Sequence, residues 1–435
     1  MLCNEGFLID AKSAASSIGM PAVRILPETI PCECTLIEEI EAKVNAKLDD
    51  IFMALIEPLT EEERSPKPKV VERPSRIVFK GNLGEINQFF YKRGWTDGLP
   101  IIPPTEEAVA DMLTGTDLPA DHIVAEIVPR LGKATVEKIA INAVMAGALP
   151  TYMPVLIAGV QALMDPESEF GGWGVSTGSW APFWIINGPI RNDLHVNSGS
   201  GALSPGDIAN ATIGRAMGLI IKNLGGARKG IEDMGVMGNP GKYTMVIAEN
   251  EEANPWEPFH VEQGFNKKDS TITVLCPNSY WQLMPYGTDD KGILRAVVYN
   301  LLPGRSSGGV ICLMLIPPHA KLLADNGWTK KGIAAFIAEH GRAPLYRFPQ
   351  YYGNLLAWGE PGERGLLMSS EDSISILGKP DSIRVIVAGG AGNQMGLLLG
   401  SPGLKKPVTK KVDLPANWGK LVEKYKNITP TYIIY

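Results

Sequence analysis

The chain has 435 residues, enough for two or three domains with real cores, and 45% hydrophobic with 20% charged residues is the composition of a folded soluble protein. A net charge of −6 argues against nucleic acid as the main partner, and no run of about 18 apolar residues is present to span a membrane. Cys3, Cys32, Cys34, Cys276 and Cys312 are odd in number and lack the spacing of a disulfide framework, which points to a reducing, cytoplasmic setting.

The N-terminus carries Glu5 and Asp10 and no basic start, so it does not read as a signal peptide. "LIDAKSAASSIG" predicts a helix closed by Gly19, and "AVRIL" a short strand after Pro21. Together they form the second half of a βα unit whose first strand is missing. Such an incomplete sheet has an open edge that is normally covered, so residues 1–60 are expected to complete a partner's α/β domain. Cys32 and Cys34 are a redox or metal pair or two incidental thiols; two cysteines alone cannot close a zinc site. A helix follows near Leu36 to Leu55, then a charged, proline-rich linker over 61–78. The main body is placed at 79–435, divisible into subdomains at 79–250 and 251–435.

"LGEINQFFYKR" predicts a helix ending at Gly94, followed by the turn "TDG" and the extended "LPIIPP". Thr105 caps the next helix, with Glu106 and Glu107 in its first turn. "ATVEKIAINAVMAGALP" and "YMPVLIAGVQALM" read as apolar helices and "APFWIING" as a strand. "SPGDIANATIGRAMGLIIKNLGG" predicts a helix capped by Ser204, with Pro205 in its first turn and Asp207 three residues on. "KYTMVIAEN", "STITVLC", "GGVICLMLI" and "IRVIVAGG" read as buried strands. "NGWTKKGIAAFIAEHGRAP" is a helix whose entry, Gly327-Trp328-Thr329, echoes Gly94-Trp95-Thr96 as a hint of duplication. The fold class is α/β or α+β: a mixed-sheet main body with a small N-terminal α/β segment.

Several residues stand out chemically. The turn at Trp95, Thr96 and Asp97 is stiffened by Gly94, Pro103 and Pro104 beyond what a surface connection needs. It suits Trp95 as a pocket wall, with Thr96 and the acid or base Asp97 facing the pocket near Glu249 or His260; the alternative is Asp97 capping its own turn. Ser198 and Ser200 lie in a Ser/Gly loop before a helix N-terminus, where free amides favour an anion, with Arg215 of the same helix assisting. Glu137 and Asn142 interrupt an apolar helix and need partners; Glu137 is a candidate acid or base or a structural partner of Arg215. Glu249, Glu251 and Glu252 follow a strand and precede His260 and Glu262, which makes Glu249 and His260 catalytic candidates and a metal ion an alternative occupant. "VIVAGGAGNQ" is no dinucleotide fingerprint, and a buried strand with a turn explains it.

"FFYKRGWTDGLPIIPPTEE", "ATVEKIAINAVMAGALP", "NGPI", "ANATIGRAMGLIIKNLGG", "GNPGKY" and "AENEEANPWEPFH" together resemble the C-terminal region of the UGSC family, over most of residues 79–435. That family is named for a selenocysteine-or-cysteine, Gly, Ser, Cys tetrapeptide in a small N-terminal α/β domain, and this chain has no CGSC. The resemblance implies redox or thiol chemistry, with the tetrapeptide on a separate subunit. The expected function is a subunit of a hetero-oligomeric enzyme acting on a small polar or anionic molecule. A carboxylate- or metal-assisted lyase or hydratase, and a non-catalytic scaffold subunit, are the alternatives.

Overall fold

The computed structural model describes residues 1–29, 37–66, 75–285, 289–303, 310–347, 372–377, 379–400 and 407–429. Cys32 and Cys34 lie outside the described residues.

The N-terminal segment begins with β1 (Leu2–Asn4), α1 (Leu8–Ser17) and β2 (Leu26–Glu28), and β1 and β2 pair in parallel. The βα unit therefore has its first strand, in contrast to the sequence expectation, and the second strand starts at Leu26 rather than within 22–25. α2 (Ile37–Asn45) and α3 (Leu48–Ile56) divide the expected single helix. α4 (Glu61–Arg64) occupies the start of the linker, with Thr60 and Glu63 forming a reciprocal capping box. Arg24 clasps this segment: its guanidinium donates to Glu63 at 2.7 and 2.8 Å and to the carbonyls of Ala54, Glu57 and Pro58.

The first half of the main body runs α5 (Leu83–Lys92), α6 (Glu106–Leu113), β3 (Ile123–Ile127), β4 (Gly132–Thr135), α7 (Val136–Ala146), α8 (Met153–Leu163), α9 (Phe170–Trp173), β5 (Phe183–Asn187), α10 (Ile190–Asp193), α11 (Ile208–Asn223), β6 (Val246–Ala248), α12 (Phe259–Glu262) and β7 (Thr271–Leu275). β8 (Ser279–Leu283) closes this half, and the second runs α13 (Asp290–Tyr299), β9 (Ile311–Leu315), α14 (Pro317–Asp325), α15 (Lys330–His340), β10 (Arg342–Pro344), β11 (Ser373–Ser375), β12 (Ile383–Val387), β13 (Met395–Leu399), β14 (Val408–Lys411) and α16 (Trp418–Tyr425). The mixed α/β organisation expected from the sequence is present.

Two four-stranded sheets, β14-β7-β5-β6 and β12-β9-β13-β8, carry the architecture. Side chains alternate along each strand, so each sheet has two apolar faces to bury. Trp184, Ile186, Ile272 and Val274 face a core shared with α7, α8 and α11. Ile311, Leu313, Leu315, Val385 and Val387 face α13 and α15 in a second core. The opposite faces meet: Phe183, Ile185, Ile247 and Leu275 of one sheet pack with Cys312, Met314, Ile386 and Leu398 of the other. The body is therefore a four-layer helix–sheet–sheet–helix sandwich.

The halves repeat one topology. β5 is parallel to β6 and antiparallel to β7, and β9 is parallel to β12 and antiparallel to β13. Among the described residues α10 and α11 lie between the strands of one parallel pair, and α14 and α15, followed by β10 and β11, between those of the other. The chain then crosses over: β8, next after β7, pairs with β13, whereas β14, next after β13, pairs with β7. Each sheet thus ends in a strand from the other half. A division at residue 250 would cut between β6 and β7 of one sheet, so 79–250 and 251–435 are not separate units. The Gly-Trp-Thr echo is not part of this repeat either. Trp328 and Thr329 enter α15, whose counterpart is α11, while Trp95 and Thr96 follow α5.

Candidate functional site

The sequence-selected residues fall in four places. The first is the turn after α5. Gly94 takes φ 69° and closes the helix, its N–H on Tyr91 O and that of Trp95 on Phe90 O, a hydrogen-bonded stop that needs the left-handed residue. Trp95 packs edge-on against Phe89 and Phe90, and Thr96 is buried with its hydroxyl accepting from Gly98 N. Asp97 Oδ1 accepts from Leu99 N, the self-capping arrangement. Its carboxylate also takes two hydrogen bonds from Arg215, at 2.7 and 3.0 Å, and Arg215 donates to Pro100 O as well. Burial raises the Asp97 pKa, but the hydrogen bonds and charge of Arg215, with the Leu99 amide, outweigh it and hold the group below its ordinary value. Lys222 donates to Gly94 O, and Asn223 Nδ2 donates to Trp95 O at 3.0 Å and to Asn142 Oδ1 at 2.8 Å. Three side chains of α11 thereby clamp the turn. Among the described residues neither Asp97 nor Arg215 shares a hydrogen bond or ion pair with Glu249 or His260.

The second place is the surface of α7. Glu137 pairs with Arg76 at 3.0 Å and is partly exposed, not buried against Arg215.

The third is a buried polar cluster between the sheets, at the carboxyl ends of β5 and β6. Glu249 is fully buried, and its carboxylate accepts from Phe259 N (2.6 Å), Asn187 Nδ2 (2.7 Å) and Asn254 Nδ2 (2.9 Å). Lys330 Nζ lies 3.6 Å from it and donates to Glu257 O and Glu262 Oε2. Burial is the main cause that raises the Glu262 carboxyl, against the pull of Lys330. Glu251 accepts from Gly188 N and sits 3.3 Å from Arg191 Nε, while Arg191 makes two hydrogen bonds to Glu252. His260 is fully buried, and among the described residues neither ring nitrogen has a hydrogen-bond partner; the 3.9 Å from Nδ1 to Glu251 is too long for one. Glu249 is thus saturated by donors, as a structural carboxylate is. Among the described residues no three His, Cys, Asp or Glu side chains are grouped to hold a metal ion.

The fourth place is open. A cavity of about 380 Å³ lies at the carboxyl ends of β9 and β12, between the 199–204 loop and residues 388–396. Carboxyl ends of parallel strands are where open α/β sheets bind ligands, and the volume is within the range of about 300–1,000 Å³ for small-molecule sites. Gly389 N donates to Ser198 O at 2.8 Å, which joins the two loops. Gly390 lies against Ser200, where any Cβ would come within 3.0 Å of the Ser200 Cα. The polar lining comprises Ser200, Ser204, Tyr280, Gln282, Asn393 and Gln394, and no carboxylate, imidazole, ammonium, guanidinium or thiol lines it among the described residues.

Ser200 is thereby placed in the cavity wall and Ser198 beside it, while Arg215 is committed to Asp97 and cannot serve an anion there. α11 starts at Ile208 with Asp207 as its N-cap, three residues later than the Ser204 cap predicted. The Asp207 carboxylate accepts from Asn197 Nδ2 at 2.8 Å, so an acid of the chain already stands at the positive end of that helix. Sequence reasoning missed Tyr280, Gln282 and the glycine loop; the run of glycines in "AGGAGNQ" was the available signal. Searches against protein-family models, curated proteins and solved structures found no match to this chain.

Proposed function

We propose that this chain is the ligand-holding subunit of a hetero-oligomeric enzyme, with a small polar molecule bound in the cavity and the reactive group brought by a second subunit carrying a Cys or Sec motif. The observation that carries this reading is the lining itself: hydrogen-bonding groups and glycine backbone surround the space, and among the described residues the only ionisable side chain is the phenol of Tyr280. Apart from the Tyr280 phenol and the Ser200 and Ser204 hydroxyls, the described lining offers no acid, base or thiol for acid–base, nucleophilic or redox steps.

Two of the three described thiols support it. Cys276 and Cys312 are buried, and burial pushes the first well above its ordinary value and the second, with Glu249 adding to it, up to about 12. Burial therefore favours the protonated thiol at both positions, which argues against either as a nucleophile. The resemblance to the UGSC family supports a thiol or selenol as the missing group.

The N-terminal segment supports a partner. Its parallel sheet has two strands, and parallel sheets are stable when both faces are covered. Ile9 and Ile18 beside it, and Phe52, Leu55 and Ile56 of α3, are exposed. Purification of the tagged chain from its native cells, followed by native mass spectrometry and thiol labelling, tests the proposal. The expected product is a complex with a second chain whose Cys or Sec reacts with iodoacetamide at neutral pH. A homo-oligomer that turns over substrate unaided overturns it.

A further inference from the structure

The repeat of the two halves gives three positions of the cavity a counterpart, and the counterparts lie at the buried polar cluster. Glu249 N donates to Ile186 O at 3.2 Å, and Ala388 N donates to Leu315 O at 2.9 Å, one hydrogen bond made twice at the ends of equivalent parallel pairs. Glu249 therefore corresponds to Ala388, and Asn187, next after Ile186, to Ile316. Asn187 stands opposite Thr271, and continuing the β9–β13 register by two residues from Met314 and Gly396 puts Gln394 opposite Ile316. Ile316, Ala388 and Gln394 all line the cavity. The corresponding Asn187, Glu249 and Thr271 are buried, and Glu249 fills that position with its own hydrogen-bonded carboxylate.

From this we infer that the cavity is the open copy of a duplicated site and takes an uncharged ligand rich in amide or hydroxyl groups. The inference rests on the ligand-holding role proposed above and specifies the chemistry of that ligand. In the closed copy the acid at 249 has Lys330 within 3.6 Å and three donors, because a buried charge needs a counter-charge and hydrogen bonds. The open copy has replaced Asn187 by Ile316 and Glu249 by Ala388, which removes the charge and leaves the space. Among the described residues a cation entering it meets no carboxylate in the lining, and an anion meets no ammonium or guanidinium. The neighbouring helix offers an anion little, because Asp207 already stands at its N-terminus. Hydroxyls of Ser200, Ser204 and Tyr280 and carboxamides of Gln282, Asn393 and Gln394 both donate and accept, which matches a neutral ligand.

Acetate, acetamide and acetamidinium share one shape and differ by a unit of charge each, so they separate the possibilities. Crystals of the full chain are soaked at pH 7 in equal concentrations of each. Acetamide is expected in the cavity against Asn393 or Gln394, and the two ions are expected to be absent or at several-fold lower occupancy. Ala388→Met fills the space without adding charge and is expected to abolish acetamide occupancy while the fold survives. Acetate or acetamidinium at equal or higher occupancy, none of the three in the cavity, or acetamide retained by Ala388→Met overturns the inference. The soak uses this chain alone, so its outcome is independent of whether a Cys- or Sec-bearing subunit exists.

Discussion

Asp97 and Arg215 are each less than one-fifth exposed and Arg215 donates two hydrogen bonds to the Asp97 carboxylate, so the pair ties the turn after α5 to the middle of α11. Asp97→Asn keeps the shape and removes the charge, leaving Arg215 half-buried without its counter-ion. The expected loss is about 1.5–3 kcal/mol of stability, the scale of a hydrogen bond to a charged group, with acetamide binding in the cavity unchanged. Thermal unfolding beside the soak reads both. A normally stable variant whose turnover in the assembled enzyme falls about a hundredfold would restore the catalytic reading of Asp97. The rigidity of this turn was legible in its glycines and prolines; its purpose was not, because the partner lies 118 residues away. A second residue-level prediction concerns Glu252, whose carboxyl the Arg191 hydrogen bonds hold down at about 2 from an ordinary 4.5. A depressed carboxyl stabilises the fold above its ordinary value and loses that contribution as the pH falls through the folded one. Glu252→Gln is therefore expected to be less stable than the parent at pH 6, with the difference shrinking between pH 4.5 and about 2. Chemical denaturation at a series of pH values measures it.

Among the elements, helices with end signals were the legible ones. Asn82 with Glu85 and Thr105 cap α5 and α6, and left-handed Gly147 follows α7. β8 and β13 were not read. β8 has only Leu283 buried and exposes Tyr280 and Trp281, so it shows no apolar alternation, and β13 begins in a glycine-rich turn. The start of α11 was misplaced because Ser204 and Pro205 form an attractive cap in a stretch that the chain uses as cavity wall. That misreading concealed the site, since loop 199–204 and loop 388–396 touch only after folding. Their contact makes a prediction. In Gly390→Ala the new methyl group meets the Cβ of Ser200 at 2.7 Å and its Cα at 3.0 Å, so one loop must withdraw. Overpacking of this kind costs about 1–3 kcal/mol, and the cavity is expected to lose acetamide as Ser200 is displaced. Calorimetry and the same soak check the two parts; unchanged stability would mean that the loops part freely.

For the molecule as a whole, an α/β or α+β body was legible in composition and strand-like runs, and the sandwich was not, because face-to-face packing of two sheets depends on pairings more than 100 residues apart. β7 pairs with β14 and β8 with β13 across such distances. The exchange also predicts cooperativity. Neither 79–285 nor 286–435 contains a complete four-stranded sheet, the first lacking β14 and the second β8, so each piece expressed alone is expected to be unfolded or aggregated, and co-expression to restore one species. The intact body should unfold in a single transition by calorimetry. Two separate transitions would show halves more independent than the exchanged strands require.

Those exchanged strands also set a timetable for synthesis. β7 emerges with one side against β5 and the other waiting for β14, which follows it by more than 130 residues. At about 5–20 residues per second, that edge stays unpaired for roughly 7 to 26 seconds on the ribosome. Its residues, Thr271–Leu275, are uncharged and almost wholly apolar or β-branched, the composition that joins foreign strands most readily. A nascent chain in that interval is a natural client for a chaperone that shields β-edges. Synonymous codons that slow translation between β7 and β14 are therefore expected to lower the soluble yield without changing the finished protein.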